Sequence, residues 1–383
     1  MRHRFHAMTT LLRQPRVAPA EKRILLVGAL LALALAGIPW LFSPYATTAL
    51  RDALILAIFA VSYDLLWGKA MVLTLGHAVF FGIGAYGVAI ATTQLEWSWL
   101  QGVGLGMGAA VLLAASVGYL LLYAGVRLHF FAIITMAVLL ITRQLATSWQ
   151  SVTGGDVGIL GIPGIRIELP GWTLELSDER ASYLLALVCL ALVLLLVWSL
   201  VRTRYGLVLA AIGMNEFRAK HCGFDTSWHL VFVFTLSAAL AAFSGALYAG
   251  TAGVVAPDLF SILMSTEVIL WVAVGGRGTL IGPVIAAVFF TRVQQEVSSF
   301  STDLWPLILG VLFLVSVLAL PQGLVGLLKA RRNARAQKGH QQTAHQTVQQ
   351  AAQAEASLPA ASQPAAPPDA AVQDKVASAG VER

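Results

Sequence analysis

The chain has 383 residues, 58% of them hydrophobic and only 11% charged, and its mean hydropathy is +0.77. A soluble chain of this size carries roughly a quarter charged residues, so these values exclude a soluble globular protein and leave a membrane protein. The formal net charge of +6 asks for no nucleic-acid partner if the bases gather on one membrane face, and two cysteines, Cys189 and Cys222, are too few for a disulfide framework.

A helix must offer roughly 20 apolar residues to cross a bilayer. On that measure the sequence predicts an all-α polytopic protein with about ten transmembrane helices, near residues 24–42, 49–67, 71–93, 100–125, 129–148, 182–201, 229–250, 262–275, 280–297 and 304–321. Residues 1–23 are basic, and ahead of an apolar run they resemble the start of a signal peptide. Pro39 and Trp40 stand where a small-residue cleavage site would lie, however, and the run continues to Phe42, so it reads as a retained first span.

Direction follows from charge. Arg2, Arg4, Arg13, Lys22, Arg23, Lys69, Arg127, Arg202, Arg204, Arg218, Lys220, Arg277, Lys329, Arg331 and Arg332 fall at the termini or after even-numbered spans. The positive-inside rule makes those segments cytoplasmic, with both termini inside. Glu96, Asp156, Glu168, Glu175, Asp178, Glu179, Asp258 and Asp303 fall on the other face.

Four segments carry more than hydropathy. In Leu73–Ala91, the residues Ala78, Gly82, Ala85 and Ala89 recur on one helix face, which lets a neighbouring helix approach closely where lipid gives no hydrophobic drive. Gly68, Gly76 and His77 can bend or interrupt this helix, and an imidazole at membrane depth faces the protein interior or a pathway. The external loop 150–181 contains Thr153, Gly154, Gly155, Gly158, Gly161, Pro163 and Gly164, a spacing that excludes a regular element and specifies turns. It lacks the Lys of a phosphate cradle and reads as a docking surface, followed by an extended piece over 166–176.

The third segment is the cytoplasmic loop 202–228. Across Arg204–Thr226 a single helix is expected, with Leu207, Ala210, Ala211, Met214, Phe217 and Cys222 as an apolar stripe. Asn215, Glu216, Arg218 and Lys220 lie off the stripe, and Gly223 sits where a left-handed cap would end the helix. A helix lying on lipid headgroups would look similar, although its polar face would be purely basic. In the fourth segment, Ser265–Ala287, the run Gly275-Gly276-Arg277-Gly278 divides two apolar halves, and Glu267 stands in or at the edge of a span, either on a pathway or holding helices together. Beyond 328 the composition turns to Ala, Gln and Pro, so residues 329–383 are expected to form a disordered cytoplasmic tail.

The segments GHAVFFGIGAY, TGGDVGILGIP, the Arg204–Thr226 loop, VAVGGRGTLIGP and LPQGLVGLL, in this order, resemble the LivM-type permease subunits of bacterial ABC importers for branched-chain amino acids. The resemblance runs from about Leu54 to Leu328. It implies a ten-helix permease of the bacterial inner membrane that works with a second homologous permease, two cytoplasmic ATPase subunits and a periplasmic binding protein, and that needs no cofactor or metal. By the same likeness Glu216, Ala219 and Gly223 occupy the helix that couples to the ATPase, and the Thr153–Pro163 loop faces the binding protein. Gly76, His77 and Glu267 are the candidates for the translocation path.

The sequence departs from that family at Gly68-Lys69-Ala70-Met71-Val72, where a Gly-Tyr-Ala-Gly-Gln-like turn is usual. Asp64-Leu65-Leu66-Trp67 and the stretch Glu267–Leu280 resemble the related urea permeases, so the substrate expected first is a branched-chain or other hydrophobic amino acid, with urea or a short amide as the alternative. No G-x-x-x-x-G-K-[ST] occurs, so ATP hydrolysis would require separate subunits. An ion-coupled carrier would need ionisable residues at mid-membrane, for which only His77 and Glu267 are candidates, and the absence of H-E-x-x-H and G-x-S-x-G speaks against a membrane enzyme.

Overall fold

The computed structural model describes residues 35–319, apart from 42, 127, 170–171, 177 and 301–303. The basic N-terminus, most of the expected first span, the LPQGLVGLL motif and the tail lie outside the described residues. Within them the chain is predominantly helical, and helices stand at each of the expected spans from the second to the last.

A short α1 (Ile38–Leu41) leads into α2 (Pro44–Asp64), where Ser43 caps the first turn through Ala46 N–H and Pro44 supplies a preset helical φ. After α3 (Ala78–Thr93), α4 (Trp99–Tyr123) opens on a capping box between Ser98 and Gln101. Then follow α5 (Leu128–Ser148), the single turn α6 (Gln150–Thr153) and α7 (Glu179–Arg202). Two short helices, α8 (Arg204–Met214) and α9 (Glu216–His221), precede α10 (Thr226–Ala252), which is capped by Asp225 and ended by Gly253 at φ 70°. The remaining helices are α11 (Ile262–Gly275), α12 (Ile281–Phe300) and α13 (Leu304–Ala319).

The helices arrange around α10. Its apolar window is 72% buried against 28% for α4 and 33% for α7, so α10 is the core helix and those two lie at the periphery. It packs on α2, α3 and α4, while α12 and α7 lean on α2 and α11 on α12. Backbones meet where side chains vanish: a methyl on Gly84 would stand 1.9 Å from the Ala242 carbonyl oxygen, and one on Gly245 1.9 Å from that of Phe81. Ala78, Gly82, Ala85 and Ala89 are buried as expected, but these closest crossings use Gly84 and Gly245 instead.

Among the described residues four helices, over Trp99–Tyr123, Phe130–Ser148, Glu179–Arg202 and Thr226–Ala252, are long and apolar enough to cross a membrane by themselves. By contrast α11 rises only about 21 Å, short of the roughly 30 Å hydrocarbon core.

Three expectations are corrected. The third span does not begin at 71: the chain makes a π turn over Leu65–Lys69, Met71 takes φ 58°, and helix resumes only at Ala78. This irregular stretch is tolerated because neighbours satisfy its backbone: Tyr63 Oη–H donates to Thr74 O at 2.9 Å, and Leu75 N–H donates to Thr135 Oγ1 at 3.3 Å. The glycine-rich loop does contain a regular element, because β1 (Ile159–Leu160) pairs antiparallel with β4 (Val254–Val255). The extended piece after it is a hairpin of β2 (Arg166–Leu169) and β3 (Trp172–Glu175). Finally, the expected single helix across Arg204–Thr226 is two, broken at Asn215, whose φ of −162° and ψ of 97° leave the helical region. Its side chain cannot serve the backbone mid-helix, but here it caps α9 by accepting Arg218 N–H at 2.9 Å.

Candidate functional site

The end of the bundle that carries Lys69, Arg202, Arg218, Lys220 and Arg277 also carries α8 and α9. On this pair Gly206, Leu209, Ile212 and Ala219 are buried, which seats it against the bundle. The residues of the expected apolar stripe turn outward instead: Leu207 is 70% exposed, Met214 87% and Phe217 71%. Large apolar side chains held out this way on an anchored element are the mark of an interaction surface.

Caps fix the pair rigidly. Gly223 takes φ 88°, Gly223 N–H donates to Lys220 O and Phe224 N–H to Ala219 O, the paired bonds of a Schellman motif. Glu216 Oε1 accepts from Thr226 Oγ1 at 3.2 Å, which ties the start of α9 to the start of α10. Tyr205 donates to His229 O at 2.8 Å, and burial raises its phenol pKa, so it stays a neutral donor. Thus Glu216, Ala219 and Gly223 come together in one structural unit, as anchor, buried contact and cap, while the exposed stripe provides its free face.

Deeper in the bundle lies the second group. His77 and Ser62 stand 2.9 Å apart, Nε2 to Oγ, and the imidazole stacks on Phe59 at 5.3 Å between ring centroids. Because Ser62 Oγ–H donates to Phe59 O at 2.7 Å, the serine accepts from Nε2–H, and Nδ1 is a buried acceptor with no hydrogen-bond partner among the described residues. Gly76 lies hard against α5, where a methyl would come within 2.1 Å of Thr135 O. Glu267 lies on α11. Its Oε1 accepts from Trp305 Nε1 at 2.6 Å and from Gln294 Nε2 at 3.1 Å, joining α11 to α13 and α12. Gly76 and His77 are neighbours in the chain, and the adjoining Ala78 N–H donates to Ser265 Oγ at 3.4 Å, on the same helix as Glu267.

At the opposite end Thr153 closes α6 by donating to Ala146 O and Trp149 O, and Gly154, Gly155, Gly158 and Gly161 all take left-handed φ between 64° and 77°. Crowding also selects glycine at Gly158, where a methyl would meet Val255 O at 2.1 Å. Val157 and Leu160 stand exposed on this loop and Pro163 follows it, also exposed. Beside it a cavity of about 260 Å³ opens between α3, α4 and α5, lined by carbon-rich side chains that include Tyr86, Leu105, Leu145, Trp149 and Phe260.

Sequence reasoning missed Asp64. This carboxylate is fully buried, with Oδ1 accepting Gly278 N–H at 2.6 Å and Oδ2 accepting Leu280 N–H at 3.2 Å. The rule that singled out Glu267, an ionisable residue within an apolar span, applies equally to Asp64 and would have found it.

A helical bundle with an anchored apolar surface at its basic end and a polar break in its interior is the architecture of a multi-pass membrane permease. The chain matches the family described as branched-chain amino acid transport system / permease component over residues 45–317, and it belongs to that family. It is 29% identical over 343 residues to the high-affinity branched-chain amino acid transport system permease protein LivM of Escherichia coli, covering 84% of this chain and 79% of that protein. LivM of Salmonella typhimurium is 28% identical over the same length. The autoinducer 2 import system permease protein LsrC of an Enterobacter species is 29% identical over 296 residues, 71% of this chain and 82% of its own. No solved structure matches the chain. As a permease of this family the protein is an ABC transport subunit of the inner membrane.

Proposed function

We propose that the protein is the permease subunit of a binding-protein-dependent importer for branched-chain or other hydrophobic amino acids, driven by separate ATPase subunits at its basic, cytoplasmic end. The observation that carries the reading is the anchored pair α8–α9, which holds Leu207, Met214 and Phe217 exposed on a rigid base. An ATPase groove would receive this stripe, and the Schellman cap at Gly223 would set the angle at which the chain returns to the membrane. On the opposite face the Thr153–Pro163 loop, with its exposed Val157 and Leu160, serves the binding protein. A second, homologous permease completes the pathway, which on this reading passes the break at Gly76 and His77.

One observation favours hydrophobic amino acids over urea: two relatives whose match covers 84% of this chain are named for branched-chain amino acids. The test is ATP hydrolysis and uptake by the purified complex with leucine-loaded binding protein. Met214→Asp and Phe217→Asp should each lower stimulated hydrolysis at least tenfold while the permease still inserts, because a charge would have to be buried in the groove. Full stimulation in both variants overturns the docking surface, and urea uptake without leucine uptake overturns the substrate.

A further inference from the structure

We propose that Asp64 is a positioning residue that ties the coupling segment to the α11–α12 hairpin, so that the two move as one body during transport. The proposal rests on α8–α9 being the coupling segment and names the route by which its position reaches the membrane helices.

The contact has three parts. At the end of α2, Asp64 accepts the backbone N–H groups of both Gly278 and Leu280, residues more than 200 positions away in the loop joining α11 and α12. Lys69, one turn later, donates through Nζ to Gly278 O at 2.6 Å, so Gly278 is gripped at its N–H and its carbonyl by the same turn. Arg277 lays its guanidinium 4.0 Å from the ring centroid of Trp67, also in that turn.

On its other side this turn meets α8. A methyl on Gly213 would stand 2.8 Å from Lys69 O, 3.2 Å from Met71 Cγ and 3.4 Å from the Ala70 carbonyl carbon, so α8 packs directly on the backbone of this turn. The loop from Gly276 to Leu280 adopts left-handed φ at Gly276, Gly278 and Leu280, and a leucine at φ 60° persists only where its surroundings hold it. Asp64 supplies that hold. Glu267 then binds α11 to α12 and α13, so the clamp on one loop positions three helices.

A merely structural role for Asp64 would lower stability without changing how the parts move. The test therefore measures motion in the full complex of permeases and ATPases, with spin labels at Ala210 on α8 and Ile281 at the start of α12 in a Cys222→Ser background. The 210–281 distance should be single and narrow, and unchanged between nucleotide-free complex and complex trapped with ATP and vanadate. Asp64→Asn keeps the shape but puts an N–H₂ against a backbone donor. It should broaden the distance and make it respond to trapping, and Gly213→Leu, which attacks the other side of the turn, should do the same. Independent movement of the two labels in the unaltered chain overturns the proposal, as does a wild-type distance retained in either variant that assembles. Failure of the docking reading would show separately: a label at Phe217 whose mobility is unaffected by the ATPase subunits removes the dock, while the 210–281 distance still reports on Asp64.

Discussion

At the scale of single residues, Glu267 illustrates how a buried carboxylate can be read from its partners. It accepts indole and amide donors from two different helices, so truncating it leaves the buried Trp305 indole N–H unsatisfied and the partly buried Gln294 amide without its partner. A buried orphaned donor costs about 1–3 kcal/mol, and Glu267→Ala should lower the melting temperature of the purified permease by several degrees. Glu267→Gln retains an oxygen acceptor and should keep most of the stability and the uptake. Loss of uptake by Glu267→Gln at unchanged melting temperature would instead place Glu267 on the pathway. His77 differs in kind. One ring nitrogen is bonded to Ser62, while the other, Nδ1, is buried with no hydrogen-bond partner among the described residues.

At the scale of elements, the bundle depends on glycine only where backbones touch. Gly84 and Gly245 are such places, because a side chain there would overlap the opposing backbone between α3 and α10. Gly104 and Gly108 on α4 have open space around the position a Cβ would take. Gly84→Leu or Gly245→Leu should therefore abolish folded, membrane-inserted protein, whereas Gly104→Ala and Gly108→Ala should be neutral or stabilising by up to about 1 kcal/mol. Fluorescence-detected gel filtration of the detergent extract separates these outcomes, and an intact monodisperse peak for Gly84→Leu would refute the packing. Helix positions were legible from hydropathy because length and apolarity are local properties. The break at Asn215 was not, because a continuous apolar stripe concealed its local cap three residues away, and neither was the irregular turn after Asp64, since the clamp on Gly278 exists only once distant segments meet. The β1–β4 pairing was hidden for the same reason, its partners lying nearly a hundred residues apart.

At the scale of the whole molecule, the family was legible because five segments occur in one order, while the site was legible only in part. Gly223 as a left-handed cap could be read from spacing, but the outward turn of Leu207, Met214 and Phe217 could not, because an apolar stripe alone does not say which face meets the bundle. On the proposed reading this permease works by ATP-driven movement transmitted through α8–α9, and the direct measurement is leucine accumulation in proteoliposomes containing the complete complex and its binding protein. Accumulation should require ATP on the side of α8–α9 and leucine-loaded binding protein on the other, and should survive ionophores that collapse proton and sodium gradients. Leucine accumulation that proceeds without ATP and disappears with those ionophores would contradict it.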